Sequence, residues 1–169
     1  MWLPARSWPP AAGSRSSCAD GWLADLDSKY RPHLASQLEG GEELRGLCIA
    51  SQQKGMFKGG AVVLAITDRR LLVQPLSRRG DPDGELLSIS PDQIKSAKAG
   101  PAGGGWITVD AAILDHAAVR LEIRTTAGEK LKLMLMRGEG KVLGGLGGGE
   151  SQRRGLEALA EWFRAVESS

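Results

Sequence analysis

Six cations fall between residues 54 and 79: Lys54, Lys58, Arg69, Arg70, Arg78 and Arg79, against one acid, Asp68. Ammonium and guanidinium groups at this density neutralise anionic groups on a lipid or partner surface. Lys54 and Lys58 flank Met56-Phe57. A loop of that kind can set a hydrophobe among lipid headgroups while its lysines meet phosphates. The same residues also read as a solvated hairpin loop, and the two Arg-Arg pairs as charged turns that blunt a sheet edge. The flanking segments, 20–40 and 81–100, are each net acidic, so the positive charge is local.

Catalytic chemistry has less to work with. Asp115-His116 is the one acid–histidine neighbour pair, and His33 is the only other histidine. No serine or cysteine stands in a nucleophile-elbow context, and a triad cannot be assembled by counting residue types. Cys18 and Cys48 have no metal-ligand spacing, and a disulfide between a tail and a core strand is not expected. Asp81, Asp83 and Glu85 alternate like cation ligands but lack the distal glutamate of a calcium loop, so turn formation explains them better. The glycines at 144–149 precede a helix, where backbone amides could cradle an anion. Glu150-Ser151 follows them instead of Lys-Ser, and a flexible tether is the expectation. The expectation is therefore a protein that is not an enzyme, with no catalytic residue, metal or cofactor. The opposing reading is a small-molecule enzyme with His116 in a cleft. Single-stranded nucleic-acid binding is a third reading, disfavoured because two phenylalanines and one tyrosine offer few stacking platforms.

The elements that would position these residues are mostly strands. With 41% hydrophobic and 25% charged residues in a chain of 169, the composition is that of one globular domain with ragged ends. A net charge of +2 is too small for global attraction to nucleic acid. Residues 1–19 carry two arginines, three prolines and no acid, without a continuous apolar run, and read as a disordered tail. The cysteine usage suits a reducing cytoplasm, and nothing approaches the roughly 18 apolar residues of a membrane span. In the segment 20–39, Trp22, Leu23, Leu26, Tyr30, Leu34 and Leu38 form a helical stripe that should pack on the following sheet, with Pro32 kinking or splitting it.

From residue 40 onward the pattern is β. Leu44–Ser51 reads as the first strand, and AVVLAIT and RLLVQPL as a hairpin around Thr67-Asp68-Arg69-Arg70. Strands follow at 86–89, 94–99 and 106–109. In the hairpin at 119–135, Val119, Leu121, Ile123, Leu131, Leu133 and Leu135 face one way, with charged residues outward. Ser151 reads as the cap of a final helix at about 151–167, with Leu156, Leu159, Ala160, Phe163 and Val166 on its apolar face.

The Gly40-Gly41-Glu42-Glu43 entry, the AITDRRLLV hairpin, ISPDQIKSA, VRLEIRTTAGEKLKLML and the closing LEALAEWFRAV together resemble the bacterial pleckstrin-homology-like and GRAM-like domains. The resemblance covers residues 40–167. It implies a mainly β (α+β) fold: a barrel of about seven antiparallel strands in two near-orthogonal sheets, closed by a C-terminal helix with Trp162 buried. It also implies a non-enzymatic binding or assembly module for residues 40–169, meeting a protein partner or the anionic membrane surface. Phosphoinositide-binding relatives carry a Lys/Arg-x-Arg pattern after the first loop, and AVVLAIT has none. Self-association is expected through edge strands and the outward Met134 and Met136. The location implied is cytoplasmic, peripheral to the membrane where that surface is used.

Overall fold

The computed structural model of the chain describes residues 26–54, 58–137 and 149–168. Seven antiparallel strands make one curled sheet, a half-barrel: β1 (Leu44–Lys54), β2 (Lys58–Thr67), β3 (Leu71–Pro75), β4 (Leu87–Ile89), β5 (Ile94–Pro101), β6 (Ala118–Thr125) and β7 (Lys130–Met136). Three α-helices accompany it among the described residues: α1 (Leu26–Ala35), α2 (Val109–Asp115) and α3 (Gly149–Glu167). The strand order is β4-β3-β2-β1-β7-β6-β5. This mainly β, α+β arrangement, closed by a C-terminal helix, is compatible with a pleckstrin-homology-like fold.

Where two sheets are expected, the hydrogen bonding runs through all seven strands. The halves β1–β4 and β5–β7 meet at a short seam, Ala50↔Leu135, Ser51↔Met134 and Gln52↔Leu133. Gln152 of α3 extends that seam with its side chain. It accepts from the Ile49 N–H at 2.8 Å and donates to the carbonyls of Ile49 and Met136, both at 3.0 Å. Buried backbone groups left without a ladder partner are thus satisfied by an amide.

The concave face and α3 enclose the main core, in which Cys48, Leu64, Leu121 and Leu133 pack with Leu156 and Phe163. Trp162 is buried, as expected, and meets Phe163 edge-on with ring centroids 5.1 Å apart. A second core lies on the opposite face of β1–β3, where Leu26, Tyr30 and Leu34 of α1 cover Leu47, Ile49, Val63 and Leu72. Burial on both faces explains why the β2 and β3 segments read as unbroken apolar runs. Among the described residues no such helix lies on the outward face of β5–β7, in keeping with the strict alternation of VRLEIRT and KLKLMLM.

Three expectations change. Residues 106–109 do not form a strand. Ile107 makes a single bridge to Ala99, and the chain then winds into α2, whose Val109, Ala112 and Ile113 are buried at i, i+3, i+4 spacing. Helix α3 begins at Gly149, so Ser151 lies inside its first turn and is buried instead of standing at the cap. Helix α1 is one element with Pro32 inside it, near its C-terminal end. The tail at 1–19, Trp22, Leu23, the loop tip Met56-Phe57 and Gly144–Gly148 lie outside the described residues.

Candidate anion-binding surface

The six expected cations separate into two groups. Lys54 and Lys58 are directly opposite each other in the β1–β2 register and close that hairpin. Arg69 and Arg70 occupy the turn at the other end of β2, about 30 Å away at the rise of an extended strand. The turn after β3 brings Arg78 and Arg79 back towards the lysine end. The Leu76 N–H bonds the Ala61 carbonyl at 2.9 Å, and Arg78 lines an open depression of about 360 Å³ with Ser51, Gly59, Gly60 and Ala61.

That turn is held firmly. The Tyr30 hydroxyl of α1 donates to the Gly80 carbonyl at 2.6 Å, and Gly80 has φ +80, a left-handed conformation suited to glycine. Burial, with the Asp81 carboxylate adding to it, pushes the Tyr30 phenol up to about 12, so it remains a donor. Arg78 and Arg79 are exposed, and neither makes an ion pair among the described residues.

Arg70 is differently employed. Its guanidinium grips Glu42 bidentately, with both N···O distances 2.9 Å, and reaches Glu39 at 3.2 Å. Thr67 donates to the same Glu42 carboxylate at 2.7 Å. The Glu42 side chain is fully buried, and the Arg70 hydrogen bonds hold its carboxyl down at about 2. This pair staples the entry of β1 to the β2–β3 turn and leaves Arg70 little for a ligand. Arg69 beside it donates weakly to the carbonyls of Gly40 and Gly41, at 3.5 and 3.4 Å.

A larger concentration of charge lies where the sequence showed alternation without naming a site. The outward positions of β5–β7 hold Lys98, Arg120, Arg124, Lys130 and Lys132, with Glu122 as the one acid. Register places them in rows: Arg124 opposite Lys130, then Glu122 between Lys98 and Lys132, then Arg120 between Gly100 and Met134. At standard strand spacing the patch measures roughly 10 by 14 Å. Glu122 is engaged by Lys130 at 2.9 Å and Arg124 at 3.3 Å, chiefly the Lys130 bond keeping its carboxyl below the usual range. Lys98 and Lys132 are exposed and make no ion pair among the described residues.

The two surfaces are continuous. Ala61 pairs with Ser51, Ser51 with Met134, and Met134 with Arg120, so one row of directly opposed residues crosses from the Arg78 depression to the β6 cations. The signal for this face was present in the outward Lys130, Lys132, Arg120 and Arg124. Only the pairing of β5 with β6 adds Lys98, and no local pattern reveals that. At the far edge Arg120 stacks on Trp106, its guanidinium carbon 4.7 Å from the ring centroid.

The residues considered for catalysis are placed apart. His116 stands at the C-terminal cap of α2 and lines neither the Arg78 depression nor the cleft beside Trp162. The His33 ring meets Gln74, its Nε2 3.4 Å from the Gln74 Oε1. Cys48 is sealed in the core, and burial pushes its thiol up to about 12, which suppresses thiolate reactivity. Among the described residues no group of three or more His, Cys, Asp or Glu could hold a metal ion.

No family model matches the chain, and no curated protein does. Among solved structures it is similar to the C-terminal domain of an unknown protein from Leishmania infantum, at 20% identity and a TM-score of 0.39, covering 65% of this chain and 80% of that one. It is also similar to the hSac2 domain from human phosphoinositide phosphatase Sac2, at 14% identity and a TM-score of 0.48, covering 82% of this chain and 77% of that one. At these values neither neighbour bears on ligand or chemistry.

Proposed function

We propose that the chain is a non-catalytic docking module that attaches peripherally to an anionic membrane surface through the outward face of β5–β7. The observation that carries this reading is the local imbalance of charge, five cations around one carboxylate that two of those cations already engage. Juxtamembrane Lys and Arg contribute about 1 kcal/mol each near an anionic leaflet, so several in one patch suffice for reversible attachment. Arg78 and Arg79 extend the same surface at its hairpin end. Arg69 and Arg70 have no part in it.

The convex shape also favours a broad, fluid partner. Small-molecule sites are concave, whereas this patch lies on the outside of a curled sheet. Among the described residues no helix is long and apolar enough to cross a membrane, so attachment here is through a surface. The sealed Cys48 supports a role without catalysis.

Co-sedimentation with phosphatidylcholine vesicles, with and without phosphatidylserine, tests the reading. Binding should require phosphatidylserine and weaken steeply as salt screens the charges. Equal binding to neutral vesicles, or none to either, removes the proposal. Retention of an acidic protein by a chain that ignores both vesicles would assign the cations to a protein partner instead.

A further inference from the structure

The large hydrophobic side chains left exposed among the described residues are Trp106, Ile107 and Met136, at 48%, 43% and 40%. They are not scattered. Trp106 lies over Arg120, Ile107 bridges to Ala99 on β5, and Met136 stands opposite Ala118 on β6, beside the half-buried Met134. Trp106, Met134 and Met136 are thus within about two strand spacings of Arg120, while Ile107 sits at the β5 edge opposite the inward-facing Ala99. The cationic face has an apolar corner.

We propose that Trp106, held by Arg120 and flanked by Met134 and Met136, is an anchor that enters the headgroup region of the anionic bilayer; this rests on the membrane-docking reading above. The physical case has three parts. Exposed large hydrophobics cost solvation, and gathered in one corner they mark a contact surface. Tryptophan partitions to the membrane–water boundary, where its ring is buried and its indole N–H stays wet. Lys98, Lys130 and Lys132 lie one and two rows away on the same face, so a ring entering the headgroup region has cations beside it for the lipid phosphates.

Nucleic acid fits the corner less well. Base stacking needs an open ring face, and Arg120 already covers one side of the Trp106 ring. A partner protein would more naturally use a concave pocket or a free sheet edge. The β5 edge is partly occupied by the bridge from Ile107.

The experiment uses the full chain and vesicles of phosphatidylcholine and phosphatidylserine whose acyl chains carry bromine, a short-range quencher of tryptophan. Bound wild-type protein should lose emission that bound Trp106→Phe does not lose. Trp106→Ala should partition about tenfold more weakly than wild type, as expected for removing one large apolar side chain from the interface. Lys98→Ala/Lys132→Ala should bind less, yet the fraction that binds should still be quenched. Trp106 is exposed, so its variants should melt near the wild-type temperature, and a matched Tm establishes that they fold.

Equal quenching in Trp106→Phe, or unchanged partitioning of Trp106→Ala, overturns the anchor while leaving salt-sensitive docking intact. Failure of the wild type to bind phosphatidylserine vesicles removes both ideas. Tight binding of a single-stranded oligonucleotide, lost in Trp106→Ala, would assign the ring to base stacking and overturn the anchor as well.

Discussion

At the scale of single residues, adjacent arginines serve different ends. Arg70 belongs to a buried ion pair with Glu42, and breaking such a pair strands a charge. Arg70→Ala or Glu42→Gln should therefore lower stability by about 3 kcal/mol, while the folded fraction still binds anionic vesicles like wild type. Denaturant melts alongside vesicle binding check this, and weakened binding with unchanged stability would contradict it. The pH dependence has a defined sign. The Glu42 carboxyl sits at about 2 in the folded protein against an ordinary 4.5. Its contribution is full above pH 4.5 and is lost as pH falls towards 2, so wild-type Tm should drop more across that window than the Tm of Glu42→Gln. The sequence displayed both arginines but could not divide them. Their neighbours in the chain are alike, and what separates them is a glutamate 28 positions upstream of Arg70.

At the scale of elements, α3 and the β1–β7 seam govern the fold. The helix crosses β1 so closely that a Cβ on Gly155 would lie 1.8 Å from the Leu47 carbonyl oxygen, and one on Gly46 would lie 2.9 Å from the Ala158 Cβ. Gly155→Ala must push the helix off the strand and displace Gln152 from the seam. A loss of about 3 kcal/mol or more is expected, with Ser151→Ala milder; thermal denaturation of the two variants compares them. The apolar periodicity of α3 was legible from spacing alone, whereas the burial of Trp162 came from the resemblance. The glycine contact was not legible, because close approach is a property of two elements. The start of α2 was hidden for a similar reason: residues 106–109 read as a short strand, and it is packing against α3 that turns the chain into a helix from Val109.

At the scale of the whole molecule, the antiparallel strands followed from apolar runs and alternation broken by turns, and the capping of a curled sheet from one amphipathic helix. Function followed less directly. The cations nearest in sequence are divided by the length of β2, whereas those that gather come from three strands between residues 98 and 132. A linear reading finds charge that is consecutive; the sheet assembles charge that alternates. Helix α1 covers the outer face of β1–β3, and among the described residues none covers β5–β7, where Lys98, Arg124, Lys130 and Lys132 are exposed. Partition of charge-reversed variants onto phosphatidylserine-containing vesicles at physiological salt measures this most directly. Lys98→Glu/Lys132→Glu should bind about a hundredfold more weakly than wild type, while Arg69→Glu at the distant turn should stay within about twofold. The opposite ranking, or equal losses in both, would contradict the account.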